Sequence, residues 1–176
     1  MIRLILGEES STNVPNKVDF SDKEYITKVA EELVSVCKAR DALSLSAPQI
    51  DHNIQMFVIK NWTEYKIFIN PKVVYESPEL AQGSEACLSF PGLSVKINRS
   101  YSIRVRYQTI NGDTKTENFD SAPARLFQHE MTHMQGKIFW DDANFLNRNK
   151  AIKDWKSIKR KLSKLSGALP PVQTTN

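Results

Sequence analysis

Apolar positions change their period several times along this 176-residue chain, and each change marks a different element. Ile2, Leu4, Ile5 and Leu6 form a short apolar run that reads as a first strand. The polar stretch over 7–20, which holds Pro15, reads as a loop. Ser21-Asp22-Lys23-Glu24 has capping-box spacing. Behind it Tyr25 or Ile26, Val29, Leu33, Val36 and Cys37 keep helical spacing, which predicts a helix over 22–39 with that stripe inward. Cys37 lies on the stripe and reads as a core thiol.

Residues 42–49 are small and apolar, lack helical spacing and end on an isolated amide, Gln49. Short strands are expected over 56–60 and 66–70, with a turn starting at Asn61-Trp62. Pro71 predicts a bend before 72–75 extends again, and 77–83 reads as loop. Tyr101, Ile103, Val105 and Tyr107 alternate with Ser102, Arg104, Arg106 and Gln108, as in a strand with one packed and one wet face. Asn111-Gly112 then signals a hairpin into a partner strand over 114–119. Ser121 and Pro123 announce a helix that Gly136 ends. A last helix is expected over 144–165, with Ile152, Trp155, Ile158, Leu162 and Leu165 as its stripe. The expectation is an α+β fold: small mixed or antiparallel sheets around a central helix, with an N-terminal and a C-terminal helix. Residues 1–165 read as one domain and 166–176 as a flexible tail.

The length suits a single domain, and the 40% apolar and 25% charged fractions are ordinary for a globular chain. No apolar run approaches the roughly 20 residues that a membrane-spanning helix needs. The opening run is too short for a secretory signal. Two cysteines make no disulfide framework, so cytoplasmic residence with reduced thiols is expected. The net charge of +4 is uneven: eight basic residues, Arg148, Lys150, Lys153, Lys156, Lys159, Arg160, Lys161 and Lys164, face one acid, Asp154. Such a face attracts polyanions, ribosomal RNA among them, or serves solubility alone; both readings stay open.

The chemistry concentrates in His129-Glu130-Met131-Thr132-His133. On a helix, residues four apart share a face, so both imidazoles can reach one metal ion, with Glu130 beside it to handle protons. No downstream residue completes the set: an extended zincin motif would need histidine at Phe139, and no glutamate follows Glu130. Upstream, His52 and Cys87 remain. His52 follows Asp51 in a polar stretch that reads as an exposed turn. Cys87 is the stronger candidate, bracketed by turn formers in Gly83-Ser84-Glu85-Ala86-Cys87-Leu88-Ser89-Phe90-Pro91-Gly92. Cysteine and two histidines leave a fourth position for water, as catalytic sites do.

Three segments resemble the signature motifs of the peptide deformylase family. Residues 42–49 match its first motif through Leu45, Ala47 and Gln49. Glu85-Ala86-Cys87-Leu88-Ser89 matches its second, and Gln128 to His133 its third. Ala42 and Ser44 stand where the family has glycines, Ala86 replaces the glycine before the cysteine, and Thr132 replaces the usual aspartate. The resemblance covers about 20–165 and implies an enzyme that hydrolyses the N-formyl group from the initiator methionine of nascent peptides.

It further implies Cys87, His129 and His133 as ligands of ferrous iron, which nickel, cobalt or zinc can replace. Glu130 would shuttle the proton of an activated water, with Gln49 and the Leu88 backbone N–H donating to the oxyanion. Leu45, Ile50, Phe90, Leu126 and Phe127 are candidates for the pocket that takes the methionine side chain. A small zinc peptidase and a noncatalytic ribosome-binding metal domain are the rival readings. No DNA or membrane partner is expected, and the chain is expected to be a monomer.

Overall fold

The computed structural model describes residues 2–11 and 13–164. Helix α1 runs Lys23–Arg40 and is followed by β1 (Ser44–Ser46), β2 (Met56–Asn61), β3 (Glu64–Glu76), β4 (Leu80–Ala86) and β5 (Ser94–Ser100). Then come β6 (Ser102–Gln108), β7 (Thr114–Asp120), α2 (Ser121–Met134) and α3 (Phe145–Lys164). Short 3₁₀ segments cover Gly7–Ser11, Ala47–Ile50 and Phe139–Asp142.

Ile26, Val29, Leu33 and Val36 are buried along one face of α1, and each contributes about 1.5–3 kcal/mol by leaving water. The cap is Asp22, whose carboxylate accepts the Tyr25 N–H at 2.9 Å, rather than the expected Ser21–Glu24 box. The helix begins one residue later than that box requires.

Five strands pair antiparallel in the order β1-β2-β3-β6-β7. Along β2, Met56 and Val58 join the cluster under α1, while Phe57 and Ile59 join the one that contains Phe127 of α2. Strand β2 is therefore buried on both faces, with one helix packed on each. Strands β4 and β5 form a separate antiparallel pair. Val95 and Ile97 of β5, with Phe90, Phe139, Trp140 and Trp155 of α3, make a third cluster.

Three expectations change. Residues 2–6 form no strand ladder: Ile5 N–H reaches Gln49 O in the 3₁₀ segment Ala47–Ile50 at 2.8 Å, and Gly7 N–H reaches Ser89 O in the turn after β4 at 2.6 Å. The bend expected at Pro71 falls inside β3, where the register slips between Ile69 and Lys72 and Asn70 sits in the left-handed region (φ 48°). The stretch over 77–83 is not all loop, because Leu80 to Gly83 open β4. Strand β5 lies outside the strands expected from the sequence. Leu165 and the tail over 166–176 fall outside the described residues.

Candidate metal centre

Helix α2 carries His129, Glu130 and His133, all buried. Its C-terminal end turns at Gly136, which has φ 67°. A Cβ there would stand 2.8 Å from the backbone carbon of Asn13, so only glycine lets the N-terminal loop pass this closely. That passage sets Ser11 Oγ 2.8 Å from His133 Nδ1 and leaves Nε2 turned toward Cys87, whose Sγ lies 3.5 Å away.

Cys87 follows β4 in a tight turn closed by Phe90 N–H donating to Cys87 O (2.9 Å) and Leu93 N–H donating to Phe90 O (3.1 Å). Gly92, at φ 78°, supplies the left-handed residue of that loop. Ligand atoms of Cys87, His129 and His133 all lie within 4.8 Å of one another. His52 is elsewhere, between Glu32 Oε2 (2.8 Å) and Tyr25 Oη (3.0 Å). Cys37 is a core residue; burial, with the negative charge of Glu130, pushes its thiol up to about 12.

Around the triad each polar group is oriented by another. His129 Nδ1 lies 2.9 Å from Glu85 Oε2. Glu85 in turn accepts from Arg99 Nε and Nη2 and from Arg125 Nη1, each at 2.9 Å. Gln49 Oε1 accepts from the Ser46 N–H (2.9 Å) and the Ser46 hydroxyl (3.0 Å). That fixes the amide so that Nε2 donates toward Cys87 Sγ (3.2 Å) and Ser89 Oγ (3.1 Å).

Charge is distributed unevenly here. Burial works against an ionised Glu85, yet hydrogen bonds from His129 and Arg99 outweigh it and hold its pKa down to about 2. Burial also disfavours a charged His129, but bonding to Cys87 and Glu85, with Glu130 nearby, raises its pKa to about 10. His133 is driven down to about 3 by burial and by His129. Burial raises the pKa of Glu130, against the lowering influence of His129 and of the Ser44 and Ser46 hydroxyls. Its Oε2 is buried without a hydrogen-bond partner among the described residues. A cysteine sulfur and two imidazole nitrogens within 4.8 Å of one another are donor chemistry suited to a first-row divalent metal. The residues present fit such an ion.

A cavity of about 610 Å³ opens onto this centre. Its walls include Gln49, Cys87, Leu88, Phe90, Leu126, His129 and Glu130. Leu45, Ile50 and Phe127 are not on its walls. Leu45 alternates with Ser44 and Ser46 on β1, so its side chain enters the α1 cluster while Ser44 lines the cavity. Ile50 joins the same cluster, and Phe127 packs edge-on against Phe57 (5.1 Å) and Phe68 (5.2 Å). Sequence reasoning missed Ser11, Arg99, Arg125 and Asp142. Glu85 stood inside a matched motif without a role.

The sequence pattern described as Polypeptide deformylase matches residues 4–149. The chain belongs to the polypeptide deformylase family. A peptide deformylase of Thermotoga neapolitana is 35% identical over 118 residues, 67% of this chain and 72% of that protein. One of Pseudothermotoga lettingae is 33% identical over 137 residues, 78% of this chain and 79% of that protein. The crystal structure of the Thermotoga maritima peptide deformylase superposes with a TM-score of 0.77 at 31% identity, covering 82% of this chain and 98% of that one. The α+β architecture and the Cys/His/His cluster are those of a deformylase-type hydrolase acting on formylated peptides. No helix among the described residues is long and apolar enough to cross a membrane.

Proposed function

We propose that this deformylase removes the N-formyl group from the initiator methionine of nascent polypeptides and releases formate. Cys87, His129 and His133 hold a ferrous ion, which nickel, cobalt or zinc can replace. Residues 1–165 act as one catalytic domain, as a monomer in the cytoplasm. The observation that carries this reading is that Gln49, Cys87, His129 and Glu130 line one cavity, with His133 within 4.8 Å of the other two ligand atoms.

Held by Cys87, His129 and His133, the ion would supply Lewis acidity and lower the pKa of a water in the cavity. Glu130, whose pKa burial raises, accepts the proton of the attacking water and returns it to the departing amine. Negative charge building on the formyl oxygen is met by the Gln49 side-chain amide and the Leu88 backbone N–H. Leu126, packed on the cluster of Phe127, and Phe90 give the methionine side chain an apolar wall, while Leu45 and Ile50 serve the core under α1. The exposed basic side of α3 holds the enzyme near ribosomal RNA.

The test is formate release from a short formyl-methionyl peptide by freshly reduced, iron-loaded protein, beside the same peptide without its formyl group. Formate from the first and no cleavage of the second is expected. Peptide-bond cleavage without formate would make the chain a small metallopeptidase, and neither product would make it a noncatalytic metal domain.

A further inference from the structure

Thr132 lies between the two histidines of α2 and points away from the triad. Its hydroxyl, 2% exposed as a residue, has two acceptors: Gln128 O at 3.0 Å and Asp142 Oδ2 at 2.7 Å. The same Asp142 oxygen accepts from Arg99 Nη1 at 2.5 Å. Arg99 is 7% exposed, and its other two donors, Nε and Nη2, clamp the two oxygens of Glu85. Glu85 Oε2 meets His129 Nδ1. One continuous line of charge-assisted contacts thus runs from Asp142 through Arg99 and Glu85 to the ring of His129.

Asp142 is well placed to act as an anchor. It ends the 3₁₀ segment Phe139–Asp142, whose Phe139 and Trp140 are buried in the third core cluster. The fork of Arg99 can pivot about Glu85 unless its remaining arm is held, and Asp142 holds it. A pivot would tilt the Glu85 carboxylate and the imidazole bonded to it. Groups bonded to the far nitrogen of a ligand histidine affect metal affinity by about 10–100-fold.

We propose that Asp142 is a positioning residue of the metal centre, fixing His129 through Arg99 and Glu85, with the Thr132 hydroxyl steering its carboxylate. The proposal rests on Cys87, His129 and His133 holding the metal, and not on the identity of the substrate. Because Thr132 Oγ1 lies within hydrogen-bond distance of that carboxylate oxygen, a carboxylate placed on residue 132 would reach the same guanidinium.

The experiment uses the cobalt-loaded protein and reads its visible spectrum, the rate of metal loss to a chelator and the thermal midpoint. Asp142→Asn is nearly isosteric at a side chain that is 29% exposed, so it should fold. It is expected to lose cobalt about 10-fold faster and to change the ligand-field bands. The double variant Thr132→Asp/Asp142→Asn should return release to within about threefold of wild type. If Asp142→Asn does not fold, Thr132→Val takes its place, with faster release than wild type expected. Wild-type release and spectrum in whichever variant is measured would overturn the proposal. So would accelerated loss that Thr132→Asp does not rescue and that tracks only a lowered thermal midpoint. A wild-type protein lacking a thiolate-to-cobalt charge-transfer band would overturn the ligand assignment itself, a failure visible before any variant is made.

Discussion

Glu130 is 1% exposed, and one of its carboxylate oxygens meets no hydrogen-bond donor among the described residues. Leaving such an atom unpaired is unfavourable by about 1–3 kcal/mol, so the arrangement makes sense where a reacting water or amine supplies the missing partner. Glu130→Gln keeps the shape and removes the base. Turnover should fall by roughly 10²-fold or more, the scale of a positioned acid–base group, while metal content by elemental analysis stays at the wild-type level. Turnover near wild type with full metal occupancy would remove Glu130 from the proton path. Ser44, in place of a glycine expected from the resemblance, also acts at this scale, because its hydroxyl is among the groups lowering the Glu130 pKa against burial. Thr132 departs from the family's aspartate, and a carboxylate reaches its neighbourhood all the same, from Asp142.

Elements place these residues, and the end of α2 is the most constrained of them. Gly136→Ala would put a Cβ 2.8 Å from Asn13 carbon and 2.9 Å from Val14 nitrogen, at a φ of 67° that alanine rarely adopts. Both atoms are backbone, so the loop must move. A loss of about 1–3 kcal/mol is expected by chemical denaturation, with faster metal release as Ser11 leaves His133. Unchanged stability would mean the loop has another path. Helices α1 and α3 were legible because their apolar stripes repeat at helical period, and α2 because Ser121, Pro123 and Gly136 bracket the His129–His133 spacing. Strand β4 was not, since only Glu85 of its seven residues is buried and the strand exists by pairing with β5 rather than by packing. Ser11, Arg99 and Asp142 come from three distant segments that meet only through tertiary packing. No local period marks them, whereas Cys87 and Gln49 could be found because each sits in a motif of its own.

At the scale of the molecule, three core clusters surround the metal centre, and α3 closes the third through Ala151, Ile152, Trp155, Ile158 and Leu162. With that stripe inward, Lys153, Lys156, Arg160, Lys161 and Lys164 are exposed. Three further cations on this helix already have partners: Arg148 pairs with Asp141 (3.0 Å), Lys150 with Asp154 (2.6 Å), and Lys159 with Glu8 (3.2 Å), which also accepts from Trp155 Nε1 (3.1 Å). Lys159 therefore helps pin α3 to the segment Gly7–Ser11, and neutralising it would confuse docking of the helix with binding of a polyanion. The informative variant spares it and replaces Lys153, Lys156, Arg160 and Lys164 with Gln. Hydrolysis of a short formylated peptide should be unchanged, because none of the four lines the catalytic cavity. Sedimentation with purified ribosomes should show wild type bound at low salt and the variant largely free. With about four phosphate contacts, wild-type affinity should weaken roughly 10²-fold between about 50 and about 200 mM salt, as released counterions lose their entropic advantage. Equal sedimentation of the two proteins, or none by either at low salt, would assign the basic face to solubility and leave the nascent chain to reach the enzyme by diffusion.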